Sequence, residues 1–218
     1  MTPFKLTLEL ATPFYLSSRL TLDGLLSAAI HHQTGKMGAD TLAAIPLDQD
    51  QGIFRGSSLF CHPRYRHRRF SRIMSLKSER DLHTELFQPN KRGDRYGVVD
   101  QQRGKFKANL DSYFAIEAKE VYFWGVGDSD QTCYLIENYI HGIGKRANTG
   151  AGEILSVRAE ETDDFSWVTR KGKPARPLPV EIWNDMGLAP ASTAPLAVVL
   201  PYWGTAPVDA VFPATWEA

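Results

Sequence analysis

Cysteine is scarce in this 218-residue chain, which has only Cys61 and Cys133 and no CxxC pair. This scarcity excludes a disulfide scaffold and indicates a reducing compartment, so we expect a cytoplasmic protein. No apolar run approaches the ~20 residues that a bilayer-spanning helix needs, and no membrane partner is expected. The start of the chain alternates apolar and polar residues and carries Lys5 and Glu9, so no signal peptide is expected.

Net charge is also absent, because 25 Lys and Arg residues balance 25 Asp and Glu residues. The charges are unevenly distributed, however. Residues 55–107 contain 14 basic and 5 acidic side chains, whereas residues 108–218 contain 8 basic and 15 acidic ones. A neutral chain with one strongly cationic third is expected to present that surface to a polyanion. Disorder of the whole chain is excluded, since 43% of its residues are hydrophobic and 11% are aromatic.

Hydrophobic periodicity predicts four strands and two helices. Alternating side chains predict strands within residues 4–10, 53–60, 113–124 and 155–159. Helical spacing predicts one helix after Thr21 and a second after Asp128, each with a glycine past its end. With the basic residues 61–110 set aside, the order is βαββαβ. This order predicts an α+β, ferredoxin-like fold with one antiparallel four-stranded sheet and both helices on one face.

The same pattern predicts the domain organisation. Residues 1–165 are expected to form the ferredoxin-like domain, with residues 61–110 as a basic insert between its second and third strands. Residues 166–218 differ, since they contain 8 of the 13 prolines and 4 of the 5 tryptophans. Because disordered tails are poor in aromatic residues, we expect an ordered, mostly irregular extension packed on the core.

A glycine-rich loop, GIGKRANTGAGE, occupies residues 142–153. It satisfies neither the Walker A pattern nor the dinucleotide-binding GxGxxG pattern. Its glycines would let the backbone N–H groups approach a ligand closely, and its basic and amide side chains suit phosphate. The alternative is a turn that only needs positive φ. The candidate RNA contacts in this loop are Gly144, Lys145, Arg146, Asn148, Thr149 and Gly150.

A run of arginines and histidines follows the predicted second strand, in the sequence HPRYRHRRFSR of residues 62–72. Arginine binds phosphate in a bidentate manner and stacks on bases, and the interleaved Tyr65 and Phe70 could add base stacking. The alternative is a solvated charged surface. The candidate RNA contacts in this run are Arg64, Arg66, His67, Arg68, Arg69 and Arg72.

Catalytic and metal-binding signatures are weak. His31 and His32 close the first predicted helix, where a cation meets the negative end of the dipole; a general base for RNA cleavage is the alternative. Cys61, His62 and His67 do not match the spacing of a zinc module, so no metal and no cofactor is expected. No Ser-His-Asp arrangement or paired-acid signature stands out, and no catalytic residue is assigned.

Together, the βαββαβ order and the loop GIGKRANTGAGE resemble the RAMP superfamily of CRISPR-associated proteins. The helix sequence LDGLLSAA of residues 22–29 and the strand sequence IFRGSS of residues 53–58 are similar to the guide-RNA 5′-end-capping subunit. The small size and the Trp/Pro-rich tail most resemble that subunit of type IV complexes. The resemblance covers about residues 1–160, and its strand adds Arg55, Ser57 and Ser58 as candidate RNA contacts.

The resemblance implies a non-catalytic subunit of an antiviral ribonucleoprotein. Such a subunit binds the 5′ handle of the crRNA, and its thumb, the insert at residues 61–110, contacts the adjacent multi-copy backbone subunit. The large subunit and the target DNA would be further partners of the complex. Two alternatives stay open: a RAMP-type endoribonuclease that processes precursor crRNA, and an unrelated ferredoxin-like RNA-binding module.

Overall fold

The structure is a computed structural model that describes residues 2–16, 19–61, 65–74 and 109–214. Its strands are β1 (Thr2–Leu10), β2 (Gln49–Asp50), β3 (Ile53–Phe54), β4 (Phe60–Cys61), β5 (Arg66–Met74), β6 (Asn109–Glu117), β7 (Glu120–Gly127), β8 (Ile154–Glu161), β9 (Leu178–Pro179), β10 (Thr193–Leu196) and β11 (Val208–Val211). Its helices are α1 (Leu22–Thr34), α2 (Ala39–Leu42), α3 (Ser129–Tyr139) and α4 (Val180–Asp185), with a 3₁₀ turn at Ala147–Thr149.

The chain divides into two compact units. The first contains Met1–His67 and Ile116–Ala218, and the second contains Arg68–Ala115. Within the described part of the chain, no helix is both long enough and apolar enough to cross a membrane.

The first unit is built around a four-stranded sheet in the order β4, β7, β1, β8, with antiparallel neighbours throughout. Alternation along β1 decides which face is buried. Phe4, Leu6 and Leu8 point into the core, while Lys5 and Glu9 lie on the opposite, more exposed face. The structure therefore confirms the predicted mixed α/β class with antiparallel strands.

Both long helices pack on the face of the sheet that carries the apolar residues of β1, in one core cluster. The predicted caps are confirmed: Thr21 accepts a hydrogen bond from the Gly24 amide, and Asp128 accepts one from the Gln131 amide. Gly35 follows α1 in the left-handed conformation, as its position predicted. The second helix is shorter than its apolar spacing suggested, because it ends at Tyr139.

The predicted long strand at residues 113–124 is wrong. Two strands occupy this region, β6 and β7, and the break falls at Ala118 and Lys119. The strands have different partners: β6 pairs with β5, whereas β7 joins the main sheet. Alternation runs on through the break and would place Phe114 on the same inward face as Ile116, yet the exposed fraction of Phe114 is 65%.

One other predicted strand is interrupted, and another contains a register shift. The strand at residues 53–60 becomes β3, which pairs with β2, and β4, which pairs with β7. Gly56 lies at the break, where a Cβ would be 3.0 Å from Leu47 and 3.2 Å from Leu22.

In β8, the register shifts opposite Leu10, and the partner of Leu10 is Ile154. This shift leaves the predicted inward residue Leu155 61% exposed.

Residues 166–214 contain more regular structure than predicted. Strands β10, β11 and β9 form a three-stranded antiparallel sheet, accompanied by α4. Trp167, Trp183 and Leu178 form a second apolar cluster with Ile53 and Val211. Two of the tryptophans of this segment, Trp167 and Trp183, are therefore core residues.

A buried arginine joins this C-terminal segment to α1. The guanidinium of Arg176 is fully buried and pairs with Asp23, with 3.2 Å between Nη2 and Oδ2. It also donates to the carbonyl oxygens of Phe54 and Gly56 and to the Tyr202 hydroxyl. Burial by itself would lower the pKa of Arg176. The nearby Asp23 and Tyr202 raise it by more, so the pKa lies above its ordinary value and the guanidinium stays charged.

Replacing Arg176 should destabilise the fold strongly, because Arg176→Met leaves the Asp23 carboxylate buried without its partner. We expect a loss of about 3–5 kcal/mol in the free energy of unfolding, measured by urea denaturation. Arg158→Met is the control, since Arg158 pairs with Glu120 at the surface and such pairs contribute about 0–1 kcal/mol. Equal losses in the two variants would contradict the role assigned to Arg176.

Candidate nucleic-acid interface

The glycine loop of residues 142–153 lies between α3 and β8 and is closed at its base by backbone hydrogen bonds. The Ile143 amide donates to the Gly152 carbonyl at 2.9 Å, and the Ile154 amide donates to the His141 carbonyl at 3.0 Å. Gly142 and Glu153 form an antiparallel bridge between these bonds. The loop is therefore a defined turn with its two ends fastened together.

The segment after β1 is hydrogen-bonded to this loop. The Lys145 amide donates to the Tyr15 carbonyl at 2.6 Å, and the Gly152 amide donates to the Pro13 carbonyl at 3.0 Å. The Thr12 hydroxyl donates to the Gly150 carbonyl at 2.7 Å. This support was not predicted, because the pattern around Pro13 indicates only the end of a strand and does not show which loop packs on it.

Two glycines of the loop are required by the protein's own backbone. Gly144 has φ of 78°, and a Cβ there would lie 2.4 Å from the Tyr15 carbonyl oxygen. Gly152 has φ of 64°, and a Cβ there would lie 2.4 Å from the Ile143 carbonyl oxygen. The requirement for a tight turn therefore accounts for both of these glycines without any ligand.

Gly150 differs from these two, because its φ is 85° but no atom lies within 4 Å of a Cβ built on it. It opens on a depression of about 500 Å³ whose lining includes Glu137, His141 and Glu153. Two carboxylates beside this opening are unfavourable for phosphate. The surroundings of Gly150 thus favour a structural role over the predicted RNA contact.

Arg146 is in the left-handed conformation, with φ of 70°, which is uncommon for a residue with a side chain. Its carbonyl accepts hydrogen bonds from the amides of Thr149 and Ala151, and a third from the Thr149 hydroxyl at 3.0 Å. The Thr149 hydroxyl therefore stabilises the turn. Lys145 and Asn148 are exposed, and the Lys145 ammonium lies 5.8 Å from the centre of the Tyr15 ring.

Residues 66–72 of the predicted basic run lie in strand β5. Arg66, His67, Arg68 and Arg69 are all exposed along it. We call residues 66–70 the basic strand. Arg64 lies outside the described residues, and so does the side chain of Arg72.

Strand β6 supports the basic strand with polar and aromatic contacts. The Phe70 ring stacks on Tyr113, with ring centroids 5.8 Å apart and an interplanar angle of 17°. The Arg69 guanidinium donates to the Ser112 hydroxyl at 3.4 Å. Strand β5 thus carries exposed cationic side chains and the exposed Phe70 ring, which stacks on the half-buried Tyr113 of β6. Cationic and aromatic side chains together are the combination that single-stranded nucleic acid binds.

The three candidates near β3 are placed differently from one another. Arg55 is half-buried and forms an ion pair with Asp164, so a phosphate would compete with a carboxylate for it. The Ser57 hydroxyl is fully buried; it donates to the Ser58 carbonyl and accepts from the Trp124 amide. The Ser58 hydroxyl is buried too, but it has no hydrogen-bond partner among the described residues.

The two histidines at the end of α1 are exposed, with ring centroids 5.9 Å apart. The His31 Nδ1 lies 2.9 Å from the Lys36 carbonyl oxygen. Because a carbonyl only accepts, Nδ1 carries the proton in this contact and Nε2 faces away from it. This hydrogen bond links His31 to the segment that follows α1, which agrees with a structural role for His31 at the end of the helix.

The thiols are poor nucleophiles and poor metal ligands. Burial raises the pKa of Cys61 to about 12. Burial and the charges of Glu137 and Asp130 raise the pKa of Cys133 to about 11. Both groups are therefore protonated at neutral pH. Among the residues that the structure describes, no three His, Cys, Asp or Glu side chains cluster closely enough to bind a metal ion.

Alanine substitutions at two loop glycines separate the two kinds of position. Gly144→Ala and Gly150→Ala both place a side chain at positive φ, but only the first meets a backbone oxygen. We expect Gly144→Ala to lose at least about 1 kcal/mol more free energy of unfolding than Gly150→Ala, since the added methyl overpacks the site. Thermal and urea denaturation measure this difference. Equal losses would show that Tyr15 does not constrain the loop.

Comparison with protein families identifies the chain. The family model described as CRISPR type IV associated protein Csf3 matches residues 2–212, nearly the whole chain. The comparison with curated proteins finds no match. Because this match covers nearly the whole chain, the chain belongs to the Csf3 family of type IV CRISPR-associated proteins.

Proposed function

We propose that this protein is the non-catalytic crRNA-binding subunit of a type IV CRISPR ribonucleoprotein, acting in the cytoplasm in antiviral defence. The observation that carries the proposal is the basic strand, in which Arg66, His67, Arg68 and Arg69 are all exposed and Phe70 stacks on Tyr113 of the neighbouring strand. Family membership makes the chain part of a type IV system. Guide RNA is the polyanion expected in such a complex.

The strand order supports a RAMP-type, ferredoxin-like fold as part of the proposal. Numbered within the core alone, β1, β4, β7 and β8 are the first to fourth strands, and their order in the sheet is 4-1-3-2. With α1 and α3 on one face, this order supports the proposed βαββαβ arrangement of a ferredoxin-like domain. The insert between the second and third core strands would be the thumb.

In this proposal, the subunit caps the 5′ handle of the crRNA, and the thumb contacts the multi-copy backbone subunit. The large subunit and the target DNA are partners of the assembled complex. From the candidate contacts we keep the basic strand, together with Lys145 and Asn148 of the glycine loop. Ser57 is left out, because its buried hydroxyl is used twice within the fold.

RNA binding should depend on the basic strand. The double variant Arg68→Glu and Arg69→Glu should weaken binding of single-stranded RNA in a fluorescence anisotropy titration. It should also flatten the dependence of log affinity on log salt, by about 0.7 for each phosphate that the variant no longer neutralises.

Arg170→Glu with Lys171→Glu is the control for this variant, since it changes the same charge at an exposed turn elsewhere. The proposal fails if the two double variants bind alike and as tightly as the unaltered protein.

The alternative function is cleavage of precursor crRNA, for which His31, beside Lys36 at the end of α1, is the strongest candidate base. We expect no discrete product when the purified protein is incubated with labelled repeat RNA. The contact of His31 with a backbone carbonyl favours a structural role for this ring. A product that disappears in His31→Ala or His32→Ala would establish the endoribonuclease instead.

A further inference from the structure

The first unit contains a groove along α1 whose walls include no residue of the basic strand. Three depressions of about 870, 290 and 350 Å³ share Arg19 and Leu20 in their walls. They run from the C-terminal segment past the start of α1 to the glycine loop at Lys145. We call these joined depressions the α1 groove.

The charges around the α1 groove are of one sign. Arg19, Lys36 and Lys145 line it together with His31 and His32, and none of its described lining residues is Asp or Glu. This is notable in a chain whose charges balance and whose residues 108–218 are strongly acidic. The groove is thus suited to an anion, unlike the acid-lined depression beside Gly150.

An exposed tryptophan stands between two of these depressions. Trp203 lies in the walls of both the 870 Å³ and the 290 Å³ depressions, and its exposed fraction is 78%. Trp124, Trp167 and Trp183, by contrast, are buried. A large exposed ring in a turn is unfavourable in water, and it provides a stacking surface for a base.

The wall of the largest depression also contains polar groups that could meet a ligand. The Arg19 guanidinium lies 3.7 Å from the centre of the Phe212 ring and donates to the Pro213 carbonyl at 3.2 Å. These contacts hold its charge in one place. Ser58 forms part of the same wall, and its buried hydroxyl makes no hydrogen bond to any described residue. A ligand edge in the groove could supply that partner.

We propose that the α1 groove binds a short stretch of single-stranded RNA, with one unstacked base on Trp203. Arg19, Lys36 and Lys145 contact the flanking phosphates. The occupant combines negative charge with flat apolar rings, which matches a groove that combines a cationic lining with apolar walls. A protein partner that buried this lining would have to supply carboxylates opposite Arg19, Lys36 and Lys145. The inference rests on the proposed RNA-binding function and adds a second contact region to it.

The test compares two probes that differ only in their bases. The full-length protein is titrated with an oligouridylate and with an abasic ribose-phosphate polymer of the same length. Trp203→Ala should weaken oligouridylate binding by about 5- to 150-fold, the loss expected for one base–aromatic stack, and should leave binding of the abasic polymer unchanged. Trp203→Phe should restore most of the affinity, because it keeps an aromatic face.

Tyr134→Ala is the matched control, since Tyr134 is an exposed aromatic residue on α3 that lines none of the three depressions. It should bind both probes like the unaltered protein. Because Trp203 is exposed, its variants should keep the melting temperature of the unaltered protein, which circular dichroism checks.

The possible failures are distinguishable. If Trp203→Ala binds oligouridylate normally while the Arg68→Glu, Arg69→Glu variant does not, the groove inference is overturned and the proposed function stands. If the unaltered protein binds neither probe, both are overturned. If Trp203→Ala binds RNA normally but no longer joins the assembled complex, the groove is a protein-docking face and the inference is wrong.

Discussion

The buried ion pair between Arg176 and Asp23 is the contact on which much of the first unit depends. It brings together α1, the chain after β3 and the C-terminal segment, which are far apart in sequence. Tyr202 completes the arrangement by donating to Asp23 at 2.7 Å, and burial raises the pKa of its hydroxyl. Removing Arg176 or Asp23 would leave the other charge unpaired in a nearly dry site, so the three elements are expected to form together.

This network also determines where the candidate RNA groove lies. Tyr202 is fastened to Asp23 and Thr21 at the start of α1, and the next residue, Trp203, is thereby held beside the groove. The glycine loop is fixed independently, by hydrogen bonds to the segment after β1. Because the backbone that carries the Trp203 ring and the cations is fixed, less conformational entropy is lost when RNA binds than a flexible contact would lose.

Local signals made part of this fold predictable. Alternation identified β1. The polar residues Thr21 and Asp128 marked the starts of α1 and α3, because an N-cap side chain accepts a hydrogen bond from an amide only three residues further along the chain. The break at Ala118 was not predictable, since alternation continues while the strand changes its pairing partner. The bulge that exposes Leu155 also depends on the opposite strand and leaves no trace in the sequence of β8 itself.

The candidate site was predictable to a similar degree. The exposed cationic character of residues 66–69 followed from charge density alone, but strand β5 that carries them was not predicted. The burial of Ser57 depends on packing against β7, which the pattern of residues 53–60 cannot show. Trp203 was missed because a tryptophan in a proline-rich segment is usually read as core. The available signal was its place between Tyr202 and Gly204, a position typical of a turn at the surface.

Cross-linking within the assembled complex tests the central claim most directly. A reconstituted type IV complex that contains 4-thiouridine-substituted guide RNA is irradiated, and the cross-linked peptides of this subunit are identified by mass spectrometry. The account predicts cross-links in residues 66–70 and in the peptide that contains Trp203. Cross-links on other subunits, with none on this one, would contradict its assignment as an RNA-binding subunit.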